Sequence, residues 1–334
     1  MTSFRAFLVE KTETDGKRAF TRSVVERDTA GLPEGELLID VAYSSLNYKD
    51  ALSATGNPGV TRSFPHTPGI DAAGTVVESS SEQFSPGDEV IVIGFDLGMN
   101  TSGGYGQKIR VPAGWAVPMP DGLDVRSSMI LGTAGFTAAL SVHKLESAGM
   151  NPGGGPVLVT GATGGVGSVA VKLLAHLGYE VHAVTGKDSQ HDFLRGLGAA
   201  EVLGRDDALA GAERPLLRET WGGVVDTVGG QILVNGLKSL RYGASLAACG
   251  LVASPEIPAT VLPFILRHVN LLGVDSVQLP LEDKAEIWNK LAGPWQLGSL
   301  EELVAPLTLD TLSAAIDRIL AGEMVGRGLV DLNG

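Results

Sequence analysis

Up to about residue 126 the apolar positions come in short runs. Glu36 to Tyr43 and Glu89 to Ile93 are rich in strand-forming residues and are bounded by turn-forming stretches, Leu32-Pro33-Glu34-Gly35 and Ser85-Pro86-Gly87-Asp88. This pattern predicts a β-rich first domain without a long helix. From about Pro156 the β-runs alternate with stretches of helical period, the order required by a parallel sheet with crossover helices. The expected strands are Pro156 to Thr160, Glu180 to Thr185, Glu201 to Gly204, Gly223 to Thr227, Ser245 to Gly250 and Asn270 to Asp275. Six such strands suit a doubly wound dinucleotide-binding sheet, so the fold class expected is α/β. Between the halves Ser127 to His143 is uncharged, helical in pattern, and marks the junction.

The strongest local signal follows the first strand of the second half. Gly161, Gly164, Gly165 and Gly167 lead into a helix whose apolar positions, Val166, Val169, Ala170, Leu173, Leu174 and Leu177, fall on one face. Glycines there allow a tight turn, a close approach of backbone to a pyrophosphate, and close packing of helix on strand, while free amides at the helix start meet the anion. Thr163, Gly164, Gly165, Val166 and Gly167 are therefore expected to bind a dinucleotide. An NAD site places Asp or Glu about 20 residues further on, at the second strand end. Here the strand ends Thr185-Gly186-Lys187. Lys187, with Arg205 after the next strand and Ser189 as a hydroxyl donor, favours the 2′-phosphate of NADPH. Asp188 opposes this unless it caps a helix or points outward.

Composition narrows the picture. The chain has 334 residues, 44% apolar and 19% charged, enough for about two cores. Its 25 Lys and Arg against 38 Asp and Glu give a net charge of −13, which disfavours nucleic acid or an anionic membrane as partner. Ser147 to Val171 carries no formal charge, but ten of its 25 residues are Gly or Pro, unlike a lipid-spanning helix. The start, MTSFRAFLVEK, is interrupted by Arg5, Glu10 and Lys11 and does not read as a signal peptide. Cys249 is the sole cysteine, which favours a reducing, cytoplasmic setting and excludes a thiolate zinc site. The scattered histidines offer no His-Glu-x-x-His, so no metal is expected. No tyrosine is followed four residues later by Lys, and no Gly-x-Ser-x-Gly elbow occurs, which removes short-chain dehydrogenase and common hydrolase signatures.

Several segments together are similar to the medium-chain dehydrogenase/reductase superfamily. They are Ser45-Leu46-Asn47-Tyr48-Lys49-Asp50-Ala51, Pro68-Gly69-Ile70-Asp71-Ala72-Ala73-Gly74, Pro86-Gly87-Asp88-Glu89-Val90, Gly132-Thr133-Ala134-Gly135-Phe136-Thr137-Ala138, the glycine turn, and Gly326-Arg327. Zinc alcohol dehydrogenases carry Gly-His-Glu where this chain has Gly69-Ile70-Asp71. Ala247-Ala248-Cys249-Gly250-Leu251, Pro263-Phe264-Ile265-Leu266-Arg267 and Gly273-Val274-Asp275-Ser276-Val277 make the chain resemble, more narrowly, the acryloyl-CoA reductases of the zinc-free quinone-oxidoreductase-like branch.

This resemblance implies a GroES-like catalytic domain over residues 1–126 and 278–334 and a Rossmann domain over 127–277. It implies NADPH-dependent reduction of acryloyl-CoA to propanoyl-CoA, and a homodimer. A quinone or enone reductase, or a non-catalytic NADPH-binding protein, are the alternatives. Hydride addition to the β-carbon of an unsaturated thioester drives negative charge onto the carbonyl oxygen, so the site needs a donor there and a proton for the α-carbon. Tyr48 is the candidate donor, because a phenol of ordinary pKa ~10 stays protonated at neutral pH; Asn47 could orient the carbonyl. Asp50 is expected to support the loop, and Asp71 to be structural. By resemblance Tyr48, Thr133 and Thr137 lie near the nicotinamide. Cys249, Gly250 and Leu251 end a strand where ligands sit, Cys249 without activation of its thiol. Arg267 and Arg327 are candidate phosphate clasps, and Arg62, Lys108 and Arg110 a candidate coenzyme A patch.

Overall fold

A computed structural model of the protein describes residues 2–14 and 17–334. The chain opens with β1 (Ser3–Thr14) and β2 (Lys17–Asp28), paired antiparallel in their own sheet. These long arms exceed the short strands expected of this region, because charged residues on their exposed side mask the apolar alternation. Then come β3 (Leu37–Leu46), the short helix α1 (Tyr48–Ala54), β4 (Asp71–Ser79), β5 (Glu89–Ile93), β6 (Lys108–Val111) and β7 (Ala116–Pro118). The expected junction helix is α2 (Val125–Ser147).

The middle of the chain alternates strand and helix. It contains β8 (Val157–Val159), α3 (Gly165–His176), β9 (Val181–Val184), α4 (His191–Gly196), β10 (Glu201–Leu203), α5 (Arg205–Leu209), β11 (Trp221–Asp226), α6 (Gly230–Ser239), β12 (Leu240–Ala248), α7 (Leu262–Arg267) and β13 (Asn270–Gly273). All six expected strands form one parallel sheet in the order β10-β9-β8-β11-β12-β13. This doubly wound order places a ligand crevice outside the carboxyl ends of the strands. The chain ends with α8 (Leu281–Ala292), β14 (Val304–Thr308), α9 (Leu312–Leu320) and β15 (Arg327–Asp331).

Two compact units result, one of Met1–Thr133, Val277–Gly293 and Ser299–Gly334, the other of Ala134–Ser276 and Pro294–Gly298. In the first, a sheet of order β14-β15-β3-β4-β5-β7, with β6 paired to β3, carries the core. The closing strand β15 enters it beside β3, with Gly328 opposite Leu46, so the last residues of the chain complete a sheet begun by the first forty. Leu37, Ile39 and Val41 from β3 and Val90 and Val92 from β5 share that core with Leu312 and Ile316 of α9. In the second unit the apolar face of α3 is buried as its spacing predicts, Val169, Ala170, Leu173 and Leu174 being fully inaccessible.

The expected junction helix is not continuous. Gly132 has φ 57 and ψ −139, a conformation open to glycine alone, so the helix breaks there. A side chain at Gly132 would also collide with Ser45, Asp71 and Arg327. Gly132→Ala is expected to lower stability by roughly 2 kcal/mol or more, through combined strain and overpacking, read as a fall in the urea midpoint of the first unit.

Candidate active site

Unit by unit, buried polar residues gather at the points the sequence singles out. In the first unit β3 ends at Leu46, Asn47 caps the next helix, and Tyr48 is the first residue of α1. Asp50 closes the cap: its Oδ2 accepts from the Asn47 amide at 2.8 Å, and its Oδ1 accepts from the Ile70 amide at 2.8 Å. Asp50 therefore ties α1 to the approach of β4, the loop support expected of it. Burial, and next the charge of Asp71, push its carboxyl up to about 7.

Asp71 is fully buried and surrounded by donors. Its Oδ2 accepts from Asn47 Nδ2 at 2.8 Å, the Thr133 amide at 3.0 Å and the Ser45 hydroxyl, and its Oδ1 accepts from the Thr133 hydroxyl. Burial raises its pKa, while these bonds and the charge of Arg327 act in the opposite direction. The break at Gly132 presents the Thr133 amide to this carboxylate.

Arg327 corrects an expectation. Its side chain is 1% exposed, and its guanidinium donates to the Ile130 carbonyl at 2.8 Å, Ser45 Oγ at 2.9 Å and Asn47 Oδ1 at 3.4 Å. Buried and committed to protein acceptors, it is the counter-charge of Asp71 and not a phosphate clasp. Asn47 is corrected too. It is 8% exposed and its carboxamide bridges Asp71 and Arg327, so its polar atoms are committed to the network rather than free to orient a carbonyl. The Thr133 hydroxyl is likewise directed to Asp71 rather than outward. Tyr48, by contrast, is 39% exposed, and its hydroxyl takes no hydrogen bond among the described residues.

Of the proposed coenzyme A patch, Lys108 pairs with Asp40 across the β3–β6 register and Arg110 with Glu78 at 2.9 Å. Both cations are neutralised locally, which removes them as a free basic patch. Arg62 remains exposed.

In the second unit the glycine turn joins β8 to α3. Gly167 sits so close to the turn that a Cβ would strike the Gly161 carbonyl, which is the close helix–strand packing that its position anticipates. Gly164 caps the helix, and Gly165 and Val166 begin its first turn. Thr163 and Thr185 are buried with their hydroxyls 3.4 Å apart, and the Lys187 amide donates to Thr185 Oγ1 at 3.1 Å. The exposed Arg205, first residue of α5, lies against Gly186 in the space a side chain there would fill. Arg205 is thus brought to Gly186 beyond the ends of β9 and β10, with Lys187 and the exposed Ser189 following in the same segment. Asp188 points to solvent with 98% of its side chain exposed, so its charge does not oppose this cluster.

Asp226 was not singled out from sequence, although a carboxylate ending an apolar strand was the available signal. It is fully buried. Its side chain accepts from Thr160 Oγ1 at 2.6 Å and the Gly229 amide at 2.7 Å, lacing the ends of β8 and β11. Its own carbonyl accepts from the Cys249 amide at 3.0 Å, which adds the end of β12. Gly250 packs against the Thr227 backbone, and Leu251 is 61% exposed. Thr137 is buried and donates to Ser276 at 2.9 Å. Arg267 is the second correction among the arginines: it donates to the Lys238 and Leu217 carbonyls at 2.6 and 2.5 Å and faces Glu219 at 3.5 Å, so it closes α6 and the segment before β11 and is spent as a phosphate ligand.

Among the described residues no three His, Cys, Asp or Glu side chains are grouped to hold a metal ion, and Ile70 supplies no ligand beside Asp71. The donor set does not fit zinc. No helix among the described residues is long and apolar enough to cross a membrane.

Residues 33–121 match the family described as alcohol dehydrogenase GroES-like domain, and residues 165–292 match zinc-binding dehydrogenase. The chain is 48% identical to acrylyl-CoA reductase AcuI of Ruegeria pomeroyi over 99% of each chain. It is 44% identical to the yhdH oxidoreductase of Salmonella enterica in complex with NADP, with a TM-score of 0.94 over 98% of this chain and 99% of that one. It is 43% identical to the Bacillus subtilis protein yhfP with NAD bound, with a TM-score of 0.96 over 99% and 100%.

Cys249 gives a direct check on the second unit. Burial, and next the charge of Asp226, push its thiol up to about 12. At pH 8 a disulfide reagent should label the folded protein about a thousandfold more slowly than the protein unfolded in guanidinium, since the thiolate is the reacting form.

Proposed function

Because the chain belongs to the acrylyl-CoA reductase family of the medium-chain dehydrogenases/reductases, we propose that it reduces the carbon–carbon double bond of an α,β-unsaturated acyl-CoA, acryloyl-CoA to propanoyl-CoA, with NADPH as reductant. The observation that carries this reading is the cluster beyond β9 and β10: a glycine turn for the pyrophosphate, then Gly186, Lys187 and Arg205 where the adenosine ribose of a dinucleotide belongs.

NADPH supplies the hydride that adds to the β-carbon of the substrate. The chain's residues do the rest. The amides of Gly165, Val166 and Gly167 in the first turn of α3 hold the pyrophosphate, and Gly164, whose own amide bonds the Gly161 carbonyl, lets it approach. Lys187, Ser189 and Arg205 bind the 2′-phosphate, and Thr163 and Thr185 shape the floor beneath it. Thr137 and the Cys249-Gly250-Leu251 segment line the nicotinamide end. Tyr48 donates a hydrogen bond from its hydroxyl to the charge that develops on the thioester oxygen, its proton then goes to the α-carbon, and the phenolate left behind takes a proton from solvent. The protein works in the cytoplasm, as its sole cysteine suggests. It is a homodimer, a reading supported by the open edge of β13 and by the exposed Val261, Ile265 and Leu266 beside α7.

NADPH oxidation followed at 340 nm with acryloyl-CoA, crotonoyl-CoA and a simple quinone tests the substrate. The highest kcat/KM is expected for acryloyl-CoA; a preference for the quinone would overturn the assignment. Tyr48→Phe should lower kcat by about 100-fold, as loss of a donor to developing charge does elsewhere. A value within about 3-fold of wild type would assign protonation to solvent.

Cofactor choice is tested separately. Arg205→Ala should reduce kcat/KM for NADPH by roughly 10- to 100-fold, the worth of a charge-assisted hydrogen bond, while that for NADH changes little. Equal losses with both cofactors would place Arg205 outside the 2′-phosphate site.

A further inference from the structure

The Asp71–Arg327 network is costly to build and does not serve the sheet that surrounds it. β3 and β4 are joined by their backbone ladder, with Tyr43 opposite Ala73, and β15 joins β3 through Gly328 opposite Leu46. Apolar side chains of similar volume would fill the same space without the desolvation of a carboxylate and a guanidinium. What the polar groups share is their target. Asn47 Nδ2 and Ser45 Oγ donate to Asp71, Asn47 Oδ1 and Ser45 Oγ accept from Arg327, and Thr133 holds the other side of the carboxylate. Asn47 and Ser45 are the residues that lead into Tyr48.

α1 has seven residues, too few to be stable or to fix its own direction. Its first turn is held from two sides. Asp50 bonds the Ile70 amide, and Asn47 bonds the carboxylate of the next residue, Asp71. The position of the Tyr48 side chain is therefore set by residues that it does not touch.

We propose that Asp71 and Arg327 are positioning residues for the reduction: acting through Asn47, they hold the start of α1 and so aim the Tyr48 hydroxyl. The proposal rests on the reading of Tyr48 as donor to the developing charge. Asp71 and Arg327 do not contact substrate or cofactor in it. Ser45 and Asn47 link the two charges, each bonding both the carboxylate and the guanidinium.

Asp71→Asn tests it. The substitution is isosteric and keeps an acceptor toward Asn47, Ser45 and the Thr133 amide, while the Thr133 hydroxyl can turn and accept from the new amide. The charge opposite Arg327 is lost. With acryloyl-CoA and NADPH, kcat is expected to fall by about 10-fold, with KM for acryloyl-CoA within about 3-fold. In a Tyr48→Phe background the same substitution should lower kcat by less than about 2-fold, since the group being aimed is gone. An equal factor in both backgrounds, or an unchanged kcat for Asp71→Asn alone, overturns the proposal. Should Asp71→Asn fail to fold, Thr133→Val removes one donor without altering charge, and the same comparison decides: a kcat loss that disappears in Tyr48→Phe supports the proposal, and an equal loss or none overturns it. Absence of turnover by the wild type would instead overturn the reading of function, and the proposal with it, whereas additive losses in an active enzyme overturn the proposal alone.

Discussion

A carboxylate taken out of water keeps its place only when donors converge on it, and each unit is organised around one such group. In the first unit Asp71 gathers the end of β3, the cap of α1 and the break in α2, with Arg327 from β15 as counter-charge. In the second, Asp226 gathers the carboxyl ends of β8 and β11 and, by its backbone, that of β12. Asp226 has no cation in its set of partners; neutral donors satisfy it, and burial raises its pKa accordingly. A buried polar network fixes relative positions with directional bonds, which apolar packing does less sharply.

The sequence was most legible where periodicity and backbone chemistry coincide. Six β-runs alternating with amphipathic helices permit few arrangements besides a parallel sheet, and the order found follows from right-handed crossovers. The glycine turn was equally readable, because close approach excludes side chains and leaves a visible mark in composition. The bend at Gly132 was hidden: an uncharged stretch of helical period gives no sign that one glycine within it has positive φ. The β1–β2 arms were hidden for the opposite reason, since their exposed faces carry Lys, Arg and Glu among the apolar positions.

The arginines show a different limit. Arg267, Arg327 and Arg205 are equivalent as letters, and each is a reasonable phosphate ligand by chemistry. What separates them is the set of acceptors each meets after folding. Carbonyls at the end of α6 and before β11 take up Arg267, a buried network takes up Arg327, and Arg205 is left on the surface beside Gly186. No local pattern encodes that competition, because the acceptors come from residues 29 to 282 positions away along the chain. Asp226 carries the same lesson in reverse: its role comes from three strand ends that meet only in the sheet.

Charge gives the last constraint. On the reading proposed above, a chain of net charge −13 binds a phosphorylated dinucleotide and a coenzyme A thioester, both polyanions. The overall field repels them, so attraction must be local and short-ranged, effective within about 8 Å at physiological ionic strength. The fold meets this by a division among its cations. Lys108, Arg110, Arg267 and Arg327 are bound to protein partners, while the exposed Arg205 lies against Gly186 beyond the end of β9. Asp188, the one carboxylate within that sequence segment, extends into solvent, where water screens it. On the reading proposed above, selectivity for the extra phosphate depends on where a cation such as Arg205 lies, and not on how many the chain contains.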